Sequence, residues 1–329
     1  MQKSRVRRLG AMIVGLTLVA TACGDDDAAE PVVDSVEPTA EESSGEMSSE
    51  MSSGEMSSGE MSSEMSGGAG AEGFDLGGRE VTIAVENAYL PFNYIDPETG
   101  EPAGWDYETI DAICGIINCT PEYQTFSWEP MIQAVADGQF DMAADGITIT
   151  DERAEVVDYS DGYINIDQRL LVRLDSEFTS VDDVIAADCQ VATQIGTTNL
   201  QTGIDTFGED RMTALEEFPF VVQSVIAGDA CAAVIDETAG QGYVGANADE
   251  VQLIGDSLSS DQLGFIFTPG SDLVEPFNFA LAQMKADGSL ESISSQYFGD
   301  SFTITYDDIA DPPAVEDSAD SSEDTEEDG

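Results

Sequence analysis

Apolar positions between about residues 78 and 304 follow two rhythms. Short contiguous apolar runs alternate with stretches in which apolar residues recur every three or four positions, the respective signatures of buried strands and amphipathic helices. Val81–Val85, Phe140–Ala144, a segment near 190–193, Ala232–Asp236, Val251–Gly255 and Leu263–Thr268 read as strands. Tyr107, Ile110, Cys114 and Ile117 mark one helix face, with Asp106 as its expected cap. Trp128, Met131, Ile132 and Val135 mark a second helix. Others open at Asp151 and near Asn199. Leu273, Phe277, Ala280 and Met284 mark a long last helix that Gly288 ends. Strand and helix alternation predicts an α/β architecture with parallel sheets. Ligands of such folds sit outside the carboxyl ends of the strands.

The flanks carry neither rhythm. Lys3 to Arg8 form a charged start and Met12 to Ala20 a short apolar stretch, which together read as a signal peptide over 1–22. Val19-Ala20-Thr21-Ala22 then leads to Cys23, a lipidation site with Ala20 where the pattern usually has Leu; ordinary secretory cleavage beside an incidental Cys is the alternative. Residues 23–72 hold a degenerate Gly-Glu-Met-Ser-Ser repeat without aromatic residues, a linker expected to be disordered. The acidic stretch 305–329 has the same character. A lipid-anchored spacer would hold the ordered body off the outer face of a cell membrane.

Charge narrows the function. The chain carries 67 Asp and Glu against 10 Lys and Arg, for a net charge of −57, and has no His. Four of those bases, Lys3, Arg5, Arg7 and Arg8, fall in the first eight positions, leaving six for the rest. Nucleic acid is excluded as a partner, because its phosphates need a basic surface. Without His the commonest general base and metal ligand is missing. No cofactor or metal site is expected. Export permits disulfides. Setting Cys23 aside leaves Cys114, Cys119, Cys189 and Cys231. Four cysteines allow three connectivities; two local bridges, Cys114–Cys119 and Cys189–Cys231, are the most economical.

Several motifs occur in order. They are Asn87-Ala-Tyr-Leu-Pro-Phe92, Gly104-Trp-Asp-Tyr-Glu-Thr-Ile-Asp111, Gly146-Ile-Thr-Ile-Thr-Asp-Glu-Arg153 and Val157-Asp-Tyr-Ser-Asp-Gly-Tyr163, followed by Gly196-Thr-Thr198, Ala232-Ala-Val-Ile-Asp236 and a stretch from Leu281 to Leu290. From about Arg79 to Gly299 the chain resembles the bacterial extracellular solute-binding proteins, family 3, the polar amino acid group. The resemblance implies a two-lobed periplasmic-binding-protein-like fold of type II, with a two-stranded hinge and a central ligand cleft. Residues 78–168 plus 265–304 would form lobe one and 170–262 lobe two. It also implies an amino acid ligand and a membrane permease of an ABC importer as partner; a monomer that binds rather than catalyses is expected.

A free amino acid presents a carboxylate and an ammonium, and burying either without partners is costly. Arg153 occupies the carboxylate-binding position of the family, and a planar guanidinium suits that task. Thr148, Thr198 and the Gly146 N–H would add donors. Asp236, ending an apolar strand, matches the ammonium-binding Asp. Tyr89 and Trp128 match positions whose rings sandwich the ligand side chain, although core packing competes for Trp128. Glu86 and Asp145 add carboxylates near the cleft and favour a cationic side chain such as arginine, lysine or ornithine; a glutamine-like amide is the other option. Two rival functions stay open: a dehydratase of the cyclohexadienyl type with Glu86 and Asp145 as acid and base, and a ligand-sensing receptor module acting through a separate partner.

Overall fold

A computed structural model describes residues 73–298 and residue 309. The signal segment, Cys23, the linker 23–72, positions 299–304 of lobe one and, residue 309 apart, the tail 305–329 lie outside the described residues. The strands are β1 (Arg79–Val85), β2 (Ala88–Tyr89), β3 (Asn93–Ile95), β4 (Pro102–Ala103), β5 (Cys119–Thr125), β6 (Met142–Thr148), β7 (Asp158–Tyr159), β8 (Ile164–Arg173), β9 (Val191–Gln194), β10 (Met212–Leu215), β11 (Ala232–Asp236) and β12 (Val251–Phe267). The helices are α1 (Trp105–Ile117), α2 (Trp128–Ala136), α3 (Asp151–Ala154), α4 (Val181–Ala187), α5 (Thr198–Phe207), α6 (Phe218–Ala227), α7 (Glu237–Ala246), α8 (Val274–Asp287) and α9 (Ser289–Phe298).

One sheet runs through the molecule in the order β10-β9-β11-β8-β12-β6-β1-β5. Its outer thirds are parallel, as the alternation predicts: β1 pairs with β5 and β6, and β9 with β10 and β11. Its middle is antiparallel, where β8 pairs with β11 and β12, and β12 with β6. The expectation of parallel sheets is corrected at this point. Each outer third is the core of one lobe, and β8 and β12 are the two strands that pass between them.

Strand β12 is a single long element where the apolar pattern predicts two strands. The bridging residues Asp256 to Gln262 are polar or half-exposed, so side-chain periodicity vanishes there. Backbone pairing replaces it: Ser259, Ser260 and Asp261 face Gln168, Asp167 and Ile166, after a register shift that begins at Ile254. Strand β6 also differs from its expected span of 140–144. All seven of its residues are buried, including Asp145 and Gly146, whose polar and small side chains interrupt the apolar run.

Helix α1 starts without its predicted cap. Gly104 is the N-cap, with φ of 135°, and a Cβ there would lie 2.1 Å from the Phe92 carbonyl oxygen. The free N–H groups of Trp105 and Asp106 donate to the carbonyls of Pro91 and Phe92 at 3.1 and 2.9 Å. Asp106 is therefore released from capping; it is buried and accepts from Asn93. By contrast Thr150 caps α3, accepting from the Arg153 N–H at 3.2 Å. Helix α9 follows α8 directly at Gly288 and was not legible, because its sequence is rich in Ser. It docks through Ser294, which accepts from the Trp105 indole at 3.0 Å. Bridges join Cys114 to Cys119 and Cys189 to Cys231. Among the described residues no helix is long and apolar enough to cross a membrane.

Candidate functional site

The carboxyl ends of β1, β6, β9 and β11 and the helix starts that follow them converge on one small cavity between the lobes. Glu86, Tyr89, Trp128, Asp145, Gly146, Thr148, Arg153, Thr198 and Asp236 all line it. The structure thus brings every predicted ligand-contacting residue together. Gln194, Thr197, Asn199 and Phe218 complete the wall.

Arg153 hangs from α3 and donates to the Thr148 carbonyl at 2.9 Å and the Gly196 carbonyl at 3.3 Å. Its guanidinium lies 5.4 Å from the centre of the Trp128 ring. Among the described residues Arg79, Arg169, Arg173 and Arg211 each sit within ion-pair distance of a carboxylate, and Arg153 does not. In a chain this acidic, an arginine with no carboxylate at ion-pair distance keeps its guanidinium open to another anion. Burial lowers its pKa from the ordinary value. Thr148 and Thr198 hydroxyls meet at 3.3 Å across the cleft. Thr198 also accepts from Gln168 of β8 at 3.0 Å, which ties the cavity wall to the strands joining the lobes.

Asp236 ends β11 and is buried. The Tyr89 hydroxyl donates to it, as does Asn199 Nδ2 at 3.2 Å. Burial raises its pKa to about 6, against the lowering effect of those two donors. Tyr89 stacks with Phe92 at 5.1 Å and Phe218 at 5.4 Å, so protein rings engage the ring expected to clamp ligand. The ring also fills the space beside Gly146, where a Cβ would lie 2.4 Å from it. Trp128 is both a wall and a core residue. It faces the cavity and packs with Met131, Ala134 and Val135 in a small core.

At the other end sit the extra carboxylates. Gln194 Nε2 donates to both oxygens of Glu86, at 2.8 and 3.0 Å, and to the Glu216 carbonyl at 2.9 Å. Asn93 Nδ2 donates to Asp145 at 2.6 Å and to Asp106 at 2.9 Å. Burial, and then the neighbouring Asp145, push Glu86 up to about 8. Burial likewise pushes Asp145 and Asp106 up to about 7 each, against the Asn93 hydrogen bond. A charged carboxylate in such surroundings is unfavourable until a cation arrives. Among the described residues no group of three or more His, Cys, Asp or Glu side chains is arranged to hold a metal ion.

Sequence reasoning missed Asn199, Phe218 and the bridging role of Asn93, and left Gln194 without an orientation. Asn199 follows the Thr197-Thr198 pair at a helix start, a polar run that signals a cap as readily as a ligand contact. Phe218 carries no signal beyond apolarity.

The comparisons fix the family. Residues 81–300 match the family model of bacterial extracellular solute-binding proteins, family 3. The chain belongs to this family. An arginine-binding extracellular protein of Bacillus subtilis is 26% identical over 70% of this chain and 91% of its own length. The arginine-, lysine-, histidine-binding protein of Geobacillus stearothermophilus superposes with a TM-score of 0.63 at 26% identity, over 67% of this chain and 96% of that structure. An ancestral amino acid-binding protein described as a precursor of cyclohexadienyl dehydratase gives a TM-score of 0.62 at 29% identity, over 67% and 95%. Relatives of this solute-binding protein are thus two-lobed amino acid binders of ABC transporters.

Proposed function

We propose that this protein captures an α-amino acid with a cationic side chain, of the arginine, lysine or ornithine class, and delivers it to an ABC importer without transforming it. Arg153, with no carboxylate at ion-pair distance and its guanidinium on the cavity wall, is the observation that carries this reading. Its guanidinium takes the ligand carboxylate with Thr148, Thr198 and the Gly146 N–H, and Asp236 takes the ammonium in place of the Tyr89 hydroxyl. Trp128 flanks the aliphatic stem, and Glu86 and Asp145 receive the cationic end. Residues 78–168 with 265–304 act as lobe one and 170–262 as lobe two; contacts from both hold the cleft closed on its ligand. Cys23 carries a lipid anchor at the outer face of the membrane, and the protein works as a monomer. Arginine binding by the Bacillus and Geobacillus relatives supports the ligand class.

A dehydratase reading draws on two observations: the likeness to the ancestral precursor, and an acid pair raised toward neutrality at Glu86 and Asp145. A thermal-shift screen of the purified protein against the common amino acids and ornithine separates the two. At about 100 times its dissociation constant a ligand adds about 2.7 kcal/mol of stability. Shifts confined to the basic amino acids support capture. Turnover of a cyclohexadienyl substrate, with no shift from any amino acid, overturns it.

A further inference from the structure

We propose that a cationic side chain entering this cleft displaces a proton held among Glu86, Asp145 and Asp106, so that ligand cation and proton compete for the same charge. This inference rests on the capture function above and deepens it.

The geometry is a chain of three buried carboxylates joined by neutral amides. Glu86 follows β1 and Asp145 lies in β6, while Asp106 belongs to the first turn of α1; none is more than 8% exposed. Asn93 bridges Asp145 and Asp106 with its single NH₂ group, at 2.6 and 2.9 Å. Gln194 reaches Glu86 from β9 in the other lobe. Backbone N–H groups of Glu86 and Trp128 complete the donors, the first to Asp145 and the second to Glu86. An amide satisfies a lone pair but adds no counter-charge. Among the described residues no Lys or Arg is within ion-pair distance of any of the three.

Arg153 is the cation on the same cavity wall, and it lies beyond ion-pair distance of all three; the other titratable groups around them are negative or neutral. Glu217, at the start of α6, adds negative charge near Glu86. The phenols of Tyr89, Tyr107, Tyr163 and Tyr243 pack around the set, and burial keeps each of them protonated. Three full charges in such a place are unfavourable, and adjacent acids of this kind titrate as a set. Asp106 Oδ1 makes no hydrogen bond, and neither does the buried Tyr163 hydroxyl. An oxygen without a donor is where a proton can reside. When a guanidinium or ammonium arrives beside Glu86 and Asp145, it supplies the missing positive charge. The carboxylic acid then gives its proton to solvent and the carboxylate stays behind as the ion-pair partner. A ligand with an uncharged end leaves the proton where it is.

Isothermal titration of the purified protein with L-arginine at pH 7, in buffers of differing ionisation enthalpy, counts the protons released. L-citrulline is the control, since it presents the same α-groups and an uncharged end. The expected result is release of roughly one proton per arginine, with affinity strengthening by up to about tenfold per pH unit between pH 6 and 7. Glu86→Gln should cut both the release and the pH slope. Arginine binding with no buffer-dependent heat overturns the exchange and leaves capture standing. Absence of binding by arginine, lysine and ornithine across pH 6 to 8 overturns the cationic reading and the exchange with it.

Discussion

Replacing Arg153 by Met removes the guanidinium and keeps much of the stem. With ligand bound, the loss is that of one partner of a buried charge pair, about 3–5 kcal/mol. That corresponds to a dissociation constant weakened by roughly 10²–10⁴-fold. Without ligand the balance differs. Arg153 donates to two carbonyls, at 2.9 and 3.3 Å, and lies over Trp128 at 5.4 Å. The ring contact is worth about 0.5–2 kcal/mol. Against these contacts stands the burial of a charge without a carboxylate partner, so unliganded stability should change by no more than about 1–2 kcal/mol in either direction. Titration calorimetry with L-arginine gives the first quantity and urea denaturation the second. An affinity change under about fivefold, accompanied by a stability loss above about 3 kcal/mol, would show that Arg153 holds the lobes together and does not bind the ligand carboxylate.

Other outcomes follow from the same geometry. Gly146→Ala sets a Cβ 2.4 Å from the Tyr89 ring at a backbone φ of 54°; it should destabilise the fold by about 1–3 kcal/mol and weaken arginine binding at least about tenfold by pushing the Tyr89 ring out of its place in the cavity wall, both readable by calorimetry. Glu86, Asp145, Asp106 and Asp236 have folded pKa values raised above their unfolded ones, to about 8, 7, 7 and 6. The folded protein therefore holds extra protons; this stability is full below about pH 4 and is lost as pH rises to about 8. Urea denaturation at pH 5 and pH 8 should show it, with Glu86→Gln flattening the difference by a few kcal/mol. Opening the Cys189–Cys231 loop, whose cysteines are 42 residues apart, should cost about 4 kcal/mol, against about 2 for the 5-residue separation of Cys114 and Cys119. Cys→Ser pairs followed by thermal unfolding test that order.

Much of this was legible in the sequence, for physical reasons. Local motifs located Arg153, Thr148 and Gly146 because strand, capped turn and short helix follow one another within eight residues. Asp236 stood out as a carboxylate ending an apolar strand. Illegible features depend on long-range partners. Asp106 looked like a cap, but its partner Asn93 lies on β3 and the cap work goes to backbone carbonyls. The middle of β12 carries no apolar signal because its pairing with β8 is made by backbone. Gln194 acquires an orientation only when β9 of one lobe faces Glu86 of the other. Phe218 joins the wall because Tyr89 stacks on it.

The central claim is that Arg153 and Asp236 recognise the two α-groups of an amino acid. Its most direct test compares binding of L-arginine, agmatine, which lacks the carboxylate, and Nα-acetyl-L-arginine, which lacks the ammonium, to the same protein by calorimetry. L-Arginine should bind and both analogues should be weaker by at least about a hundredfold. Agmatine binding as tightly as arginine would contradict the account, because the cleft would then be reading the cationic end alone.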